Sequence, residues 1–193
     1  MRRDPALAGV IRAAGPCTMR RRGDPYRYLV RSILYQQLAG AAAAAIERRF
    51  RDAFGGRVPA PEVLHATAPE RLRPLGLSRQ KAAAVCAVAG AFARGEVRAR
   101  QLPHLDDAAV VEQLTRIRGV GVWTAQMVLM NALGRPDVLP TGDHGVRKGA
   151  RALFRLDELP KPAELEALAE PWRPYRSVAS WYLWRATEMV LPE

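Results

Sequence analysis

Leu114–Lys148, LTRIRGVGVWTAQMVLMNALGRPDVLPTGDHGVRK, is the stretch on which the reading of this chain turns. Its spacing predicts a helix ending at Arg118, a tight Gly119-Val120-Gly121 hairpin and a second helix from Val122 to about Leu133. Asp106-Asp107 opens the first helix, so the pair spans residues 107–133. A loop bearing Pro136 and Pro140 then delivers Asp143 to the start of another helix. Gly-X-Gly lets two amphipathic helices turn sharply while successive N–H groups point outward. Such N–H groups bind a phosphate oxygen without reading sequence. Leu114, Ile117, Ala125, Val128 and Leu129 supply the apolar face. The turn alone is weak evidence, because helix–helix turns often hold glycine for backbone reasons.

Outward from that stretch, the composition narrows the class. The 193 residues hold 30 Lys+Arg against 19 Asp+Glu, a net charge of +11. Such a surface attracts polyanions, nucleic acid first among them, although arginine-rich codon usage gives the same excess. A chain of this length buries roughly 70% of its unfolded surface, enough for one core or two lobes sharing a chain. Alanine, leucine and arginine dominate and strand-like runs are scarce, so the expected class is all-α. Cys17 and Cys86 stand far apart, which excludes a cysteine zinc site or iron–sulfur cluster and fits a reducing, cytoplasmic setting. Arg12 interrupts the first apolar segment too early for a signal peptide, and no run is long enough to span a bilayer.

Along the chain, helices are expected over 4–14, from Asp24-Pro25 to Leu38, and from Gly40 through Phe50 and Phe54. A helical turn at Pro61–Ala66 and a capping box at Thr67-Ala68-Pro69-Glu70 follow. Ser78 caps a long helix ended by Gly95. Beyond Asp143, helices are expected to Phe154, from Lys161-Pro162 to Ala169, and from Ser177 to Val190. No linker divides the chain, which reads as one unit over 1–193.

With hairpin, loop and Gly142-Asp143 in this order, the chain resembles the helix-hairpin-helix DNA glycosylases. The segment containing SILYQQLAG, Leu75–Lys81 and Trp172–Trp184 carry further likeness, over roughly residues 24–190. The likeness is greatest to the DNA-3-methyladenine glycosylase II group, in a short form without the amino-terminal β domain. It implies a two-lobed helical fold whose lobes interleave in sequence. The expected partner is double-stranded DNA with alkylated bases, engaged by a monomer with no membrane association; in a bacterium the protein would be nucleoid-associated.

The resemblance also assigns chemistry. Relatives that cut the strand carry a lysine in the second hairpin helix, which forms a Schiff base with the sugar. Trp123 stands there, so a monofunctional hydrolase without lyase activity, cluster or zinc is expected. An alkylated purine is cationic and leaves as a neutral base, so one carboxylate, Asp143, suffices to stabilise the oxocarbenium-like sugar and orient water. Its alternative role is a helix N-cap. Trp123, Met127, Trp184 and Tyr35 are the expected base pocket, with core packing the alternative for Trp184 and the reading preferred for Trp181 and Tyr182. Gln37, with Leu38 second, is the expected wedge into the duplex, or else a polar helix end. Gly119, Val120, Gly121, Arg118, Arg147 and Lys148, together with Arg116, are the expected phosphate contacts. The carbonyls of Thr115, Ile117 and Val120 match those that hold a monovalent cation in related hairpins. His144 departs from the family, where an apolar residue follows the aspartate. Two rivals share these features: a glycosylase for deaminated, etheno or mismatched bases, and a non-catalytic helix-hairpin-helix DNA-binding protein.

Overall fold

The computed structural model describes residues 4–21, 23–38 and 40–188. Ten α-helices and no strands occur among them: α1 Pro5–Ala14, α2 Pro25–Tyr35, α3 Gly40–Ala53, α4 Pro61–His65, α5 Arg79–Ala93, α6 Asp107–Thr115, α7 Val122–Met127, α8 His144–Phe154, α9 Pro162–Ala169 and α10 Arg176–Ala186. None is long and apolar enough to cross a membrane.

Their starts follow the capping chemistry. Asp4, Asp24, Ser78, Asp106 and Asp143 each accept a backbone N–H three residues on, satisfying one of the orphan donors of a first turn. Proline occupies the first turn of α1, α2, α4 and α9, where its missing N–H costs nothing. Thr67 does not cap: its hydroxyl turns back to the Val63 carbonyl at 2.8 Å, and Pro69–Leu75 winds as a 3-10 helix with Ala68 before it.

The chain forms two compact units. One joins the chain ends, Met1–Arg21 and Leu129–Glu193, and the other is Arg22–Val128. In the internal unit α5 is the packing centre, with α2 and α4 laid against it and α3 against α2. Leu29, Ile33 and Leu34 of α2, Phe50 of α3, Leu64 of α4 and Val85 and Val88 of α5 are fully buried there. Tyr26 and Phe92 pack with ring centroids 5.3 Å apart, and the Tyr26 hydroxyl donates to the Pro59 carbonyl.

In the terminal unit α8 and α10 pack on one another and α1 covers both. Val146, Ala150, Leu165, Trp172 and Leu183 form its core. Gly149 sets the approach of α8 to α10: a Cβ there would lie 2.1 Å from the Leu183 carbonyl oxygen, so no larger residue fits. Tyr182 is core, as its spacing predicts, with its hydroxyl on the Gly15 carbonyl and its ring edge-on to Trp181. The last helix starts at Arg176 and is helical to Ala186; the expected extension to Val190 lies outside the described residues.

Candidate active site

The hairpin is tighter than the sequence suggests. α6 ends at Thr115, three residues short of Arg118, where the Thr115 hydroxyl turns back onto the Val111 carbonyl at 2.8 Å. The Ile117 carbonyl accepts from the Val120 N–H at 3.0 Å, and α7 starts immediately after Gly121. The two glycines do different things. Gly119 has φ +89°, and a Cβ there would lie 2.4 Å from the Ala84 Cβ of α5. Gly121, with φ −94°, needs no special backbone, and nothing stands within 4 Å of where its Cβ would be. The first glycine lets the turn sit on α5; the second keeps the outer surface clear for a close approach. Val120 is buried between them.

Arg118 is exposed beside the hairpin, and Arg116 is paired with Glu112 on α6. Among the described residues no group of three or more His, Cys, Asp or Glu side chains could hold a metal ion.

On α7, Trp123 is 42% exposed, in keeping with an aromatic face offered to a ligand. Met127, one turn along, is only 5% exposed, because Thr124, Ala125, Met127 and Val128 pack inward together. It offers the interior, not an open pocket wall. The helix beyond Met127 is also not the plain α-helix expected: Val128–Leu133 is a π-helical segment.

Asp143 is 8% exposed. Its Oδ1 accepts from the Val146 N–H at 2.7 Å, the N-cap bond of α8, and from Trp184 Nε1 at 2.9 Å. Capping and a second, side-chain anchor therefore coexist on one oxygen. Gly145 makes room for this arrangement, since a Cβ there would fall 2.8 Å from Trp184 Cδ1 and 3.2 Å from Asp143 Oδ1. Trp184 is half-buried in α10 and holds the carboxylate through its Nε1. His144 and Lys148 are exposed, whereas the Arg147 Nε donates to the Pro160 carbonyl at 2.9 Å.

Asp137 fastens the loop that carries Asp143. Its carboxylate takes Arg176 Nε at 2.7 Å, Arg176 Nη2 at 2.9 Å and Arg173 Nη1 at 2.9 Å. Burial works against its charge, but the Arg176 side-chain and backbone hydrogen bonds and the nearby Arg176 and Arg173 charges outweigh it, so its pKa is held below the usual aspartate value. Ser177 adds to the lock: its hydroxyl donates to the Arg135 carbonyl and accepts from the Val138 N–H. No local motif announces these partners, which lie about forty residues away in sequence.

Gln37 and Leu38, the expected wedge, and Tyr35, an expected pocket residue, lie in the internal unit. Gln37 is exposed in the left-handed region, φ +55°, and Leu38 is 40% exposed. Both stand on the turn after α2. Tyr35 is not an open wall: its hydroxyl donates to Glu47 Oε2 at 2.7 Å, and the Arg31 guanidinium, itself paired with Glu47, lies 4.1 Å over its ring. The bond to Glu47 raises the phenol above its ordinary value, with burial adding to it.

The model of the HhH-GPD superfamily of base excision DNA repair proteins matches residues 30–174. A Bacillus subtilis relative is 36% identical over 84% of this chain, and the chain spans 59% of that relative's length. A Schizosaccharomyces pombe protein, DNA-3-methyladenine glycosylase 1, is 34% identical over 86% of this chain and 74% of its own. A solved structure of a 3-methyladenine DNA glycosylase from the same yeast, in complex with abasic DNA, superposes with a TM-score of 0.87 at 30% identity, covering 98% of this chain and 95% of that one.

Proposed function

The chain belongs to the HhH-GPD superfamily of base excision DNA repair proteins, and from that premise we propose that it is a monofunctional alkylpurine-DNA glycosylase. It flips a 3-methyladenine- or 7-methylguanine-type base from duplex DNA and hydrolyses the N-glycosidic bond, leaving an abasic site. The observation that carries this reading is the buried Asp143 carboxylate held by Val146 N–H and Trp184 Nε1, in a chain whose hairpin helix bears Trp123 and no lysine.

The chemistry follows from charge. A purine alkylated at N3 or N7 carries a positive charge, and breaking its bond to C1′ sends the electron pair into the ring and neutralises it. No general acid is then required. The positive charge that develops on the sugar is stabilised by the Asp143 carboxylate, worth most in a water-poor site. The same group orients the attacking water, whose oxygen bonds to C1′ while its proton passes to the carboxylate or to solvent. Trp123 offers an aromatic face to the cationic base, an attraction worth about 1–2 kcal/mol. In the Gly119-Val120-Gly121 turn the Val120 N–H is committed to the Ile117 carbonyl, so Gly119 and Gly121 present backbone N–H groups to a phosphate, Arg118 and Lys148 add charge, and the Thr115, Ile117 and Val120 carbonyls would hold a monovalent cation beside it. Gln37 takes the place of the flipped base.

A Schiff base at C1′ needs an amine where Trp123 stands, so hydrolysis stops at the abasic site. The reading is tested by release of 3-methyladenine and 7-methylguanine from methylated DNA, with borohydride present in a parallel reaction. Free base with no trapped protein–DNA adduct is expected; a trapped adduct removes the monofunctional assignment, and release confined to uracil or hypoxanthine moves the substrate class.

A further inference from the structure

The turn carrying Gln37 and Leu38 ends α2 in an unusual way, and a residue outside the turn accounts for it. A helix that continued or closed normally would give the Leu34 carbonyl a backbone donor, the Leu38 N–H. That N–H goes instead to the Tyr35 carbonyl, at 3.4 Å, while the Gln36 N–H is shared between the Ser32 and Ile33 carbonyls. Leu34 is fully buried, and a buried carbonyl left without a donor costs about 1–3 kcal/mol. Lys81 of α5 supplies the donor: its Nζ lies 2.9 Å from the Leu34 oxygen. A cation at a helix C-terminus is also favoured by the helix dipole.

We infer that Lys81 is a positioning residue for the base-flipping wedge: its ammonium, bonded to the Leu34 carbonyl, holds the end of α2 open so that Gln37 stands exposed in the left-handed conformation. The inference rests on the wedge assignment made above. α5 is a rigid base for such a clamp, since Ser78 caps it at the Lys81 N–H and Ala84, one turn on, seats Gly119 of the hairpin. Burial holds the Lys81 ammonium below its ordinary pKa, the cost of aiming it inward at a carbonyl. On the other side of the turn, Tyr35 is tied to Glu47 and Arg31. Gln37, a non-glycine residue at φ +55°, pays roughly 1 kcal/mol or more for its conformation, so it persists only while its surroundings enforce it.

A wedge matters most where a base pair must be broken and least where the lesion is already unpaired. The experiment is single-turnover excision of 7-methylguanine, paired with cytosine or placed opposite an abasic site, by wild type, K81M, K81R and Q37A. K81M should lose about tenfold on the paired lesion and under about threefold opposite the abasic site. K81R, which keeps a cationic donor, should recover most of the loss. Affinity of K81M for undamaged duplex should stay within about twofold of wild type. Equal loss on both substrates, no loss on either, or a loss residing in affinity for undamaged DNA would overturn the inference. Q37A reads the wedge separately: a Q37A with no paired-lesion deficit removes Gln37 as the wedge and overturns the inference with it, whatever K81M and K81R show.

Discussion

Trp184 Nε1 donates to Asp143 Oδ1 at 2.9 Å, on the same oxygen that accepts the Val146 N–H. A hydrogen bond to a charged group contributes about 1.5–3 kcal/mol, and here it also fixes the direction in which the carboxylate points. Replacing Trp184 with phenylalanine keeps an aromatic ring and deletes the donor. W184F should excise alkylated bases about tenfold to a hundredfold more slowly, on the scale of 1.4 kcal/mol per decade. Unchanged single-turnover rates would mean that the bond does not organise Asp143.

Capping and catalysis by Asp143 separate by substitution. Asparagine caps a helix as well as aspartate does, whereas alanine costs about 1 kcal/mol at that position. D143N should therefore unfold at nearly the wild-type temperature and D143A about 2–4 °C lower, with excision lost in both. A D143N protein that is markedly less stable than D143A would contradict this division.

The hairpin glycines predict opposite outcomes. Alanine at 119 meets both a positive φ and the Ala84 methyl at 2.4 Å, so G119A should lose roughly 2 kcal/mol or more of stability. Alanine at 121 meets nothing, and G121A should cost under about 1 kcal/mol while weakening duplex binding several-fold, as a methyl enters the path of the phosphate. Thermal unfolding and a binding titration in one salt condition read both; equal stability of the two variants argues against the division of labour.

Asp137 gives the terminal unit an acid-sensitive lock. Its folded pKa lies below the unfolded value near 3.8, so the folded state holds fewer protons there. The stabilisation is fully present above about pH 4 and is lost as the pH falls through the depressed folded value. D137N should be less stable than wild type at neutral pH, and the gap should narrow below pH 4. A gap that stays constant down to pH 2 would show that the charge of Asp137 is not what holds Arg176.

Much of this was legible in the sequence because it is local. Asp24-Pro25, Ser78, Asp106 and Asp143 announce helix starts that the backbone cannot easily place elsewhere, and Gly-Val-Gly between apolar faces announces the hairpin. What escaped is long-range. Asp137 reaches Arg176, Lys81 reaches Leu34 and Trp184 reaches Asp143 across 39, 47 and 41 residues, and spacing within one helix carries no trace of such partners. Tyr35 and Met127 show the same limit: helical periodicity marks a position on a face, while the hydrogen bond to Glu47 and the inward packing of α7 decide what that face meets. Thr67 had the capping spacing, yet its hydroxyl found the Val63 carbonyl of the preceding helix first.

In the proposed reaction one buried carboxylate, Asp143, drives hydrolysis of the glycosidic bond of a cationic purine. Single-turnover release of 7-methylguanine from a defined duplex, by wild type and D143N at matched DNA saturation, tests it most directly. Wild type should release free base and leave an abasic site, and D143N should bind the duplex equally while releasing base at least about a thousandfold more slowly. Release by D143N at the wild-type rate would remove Asp143 from the chemistry.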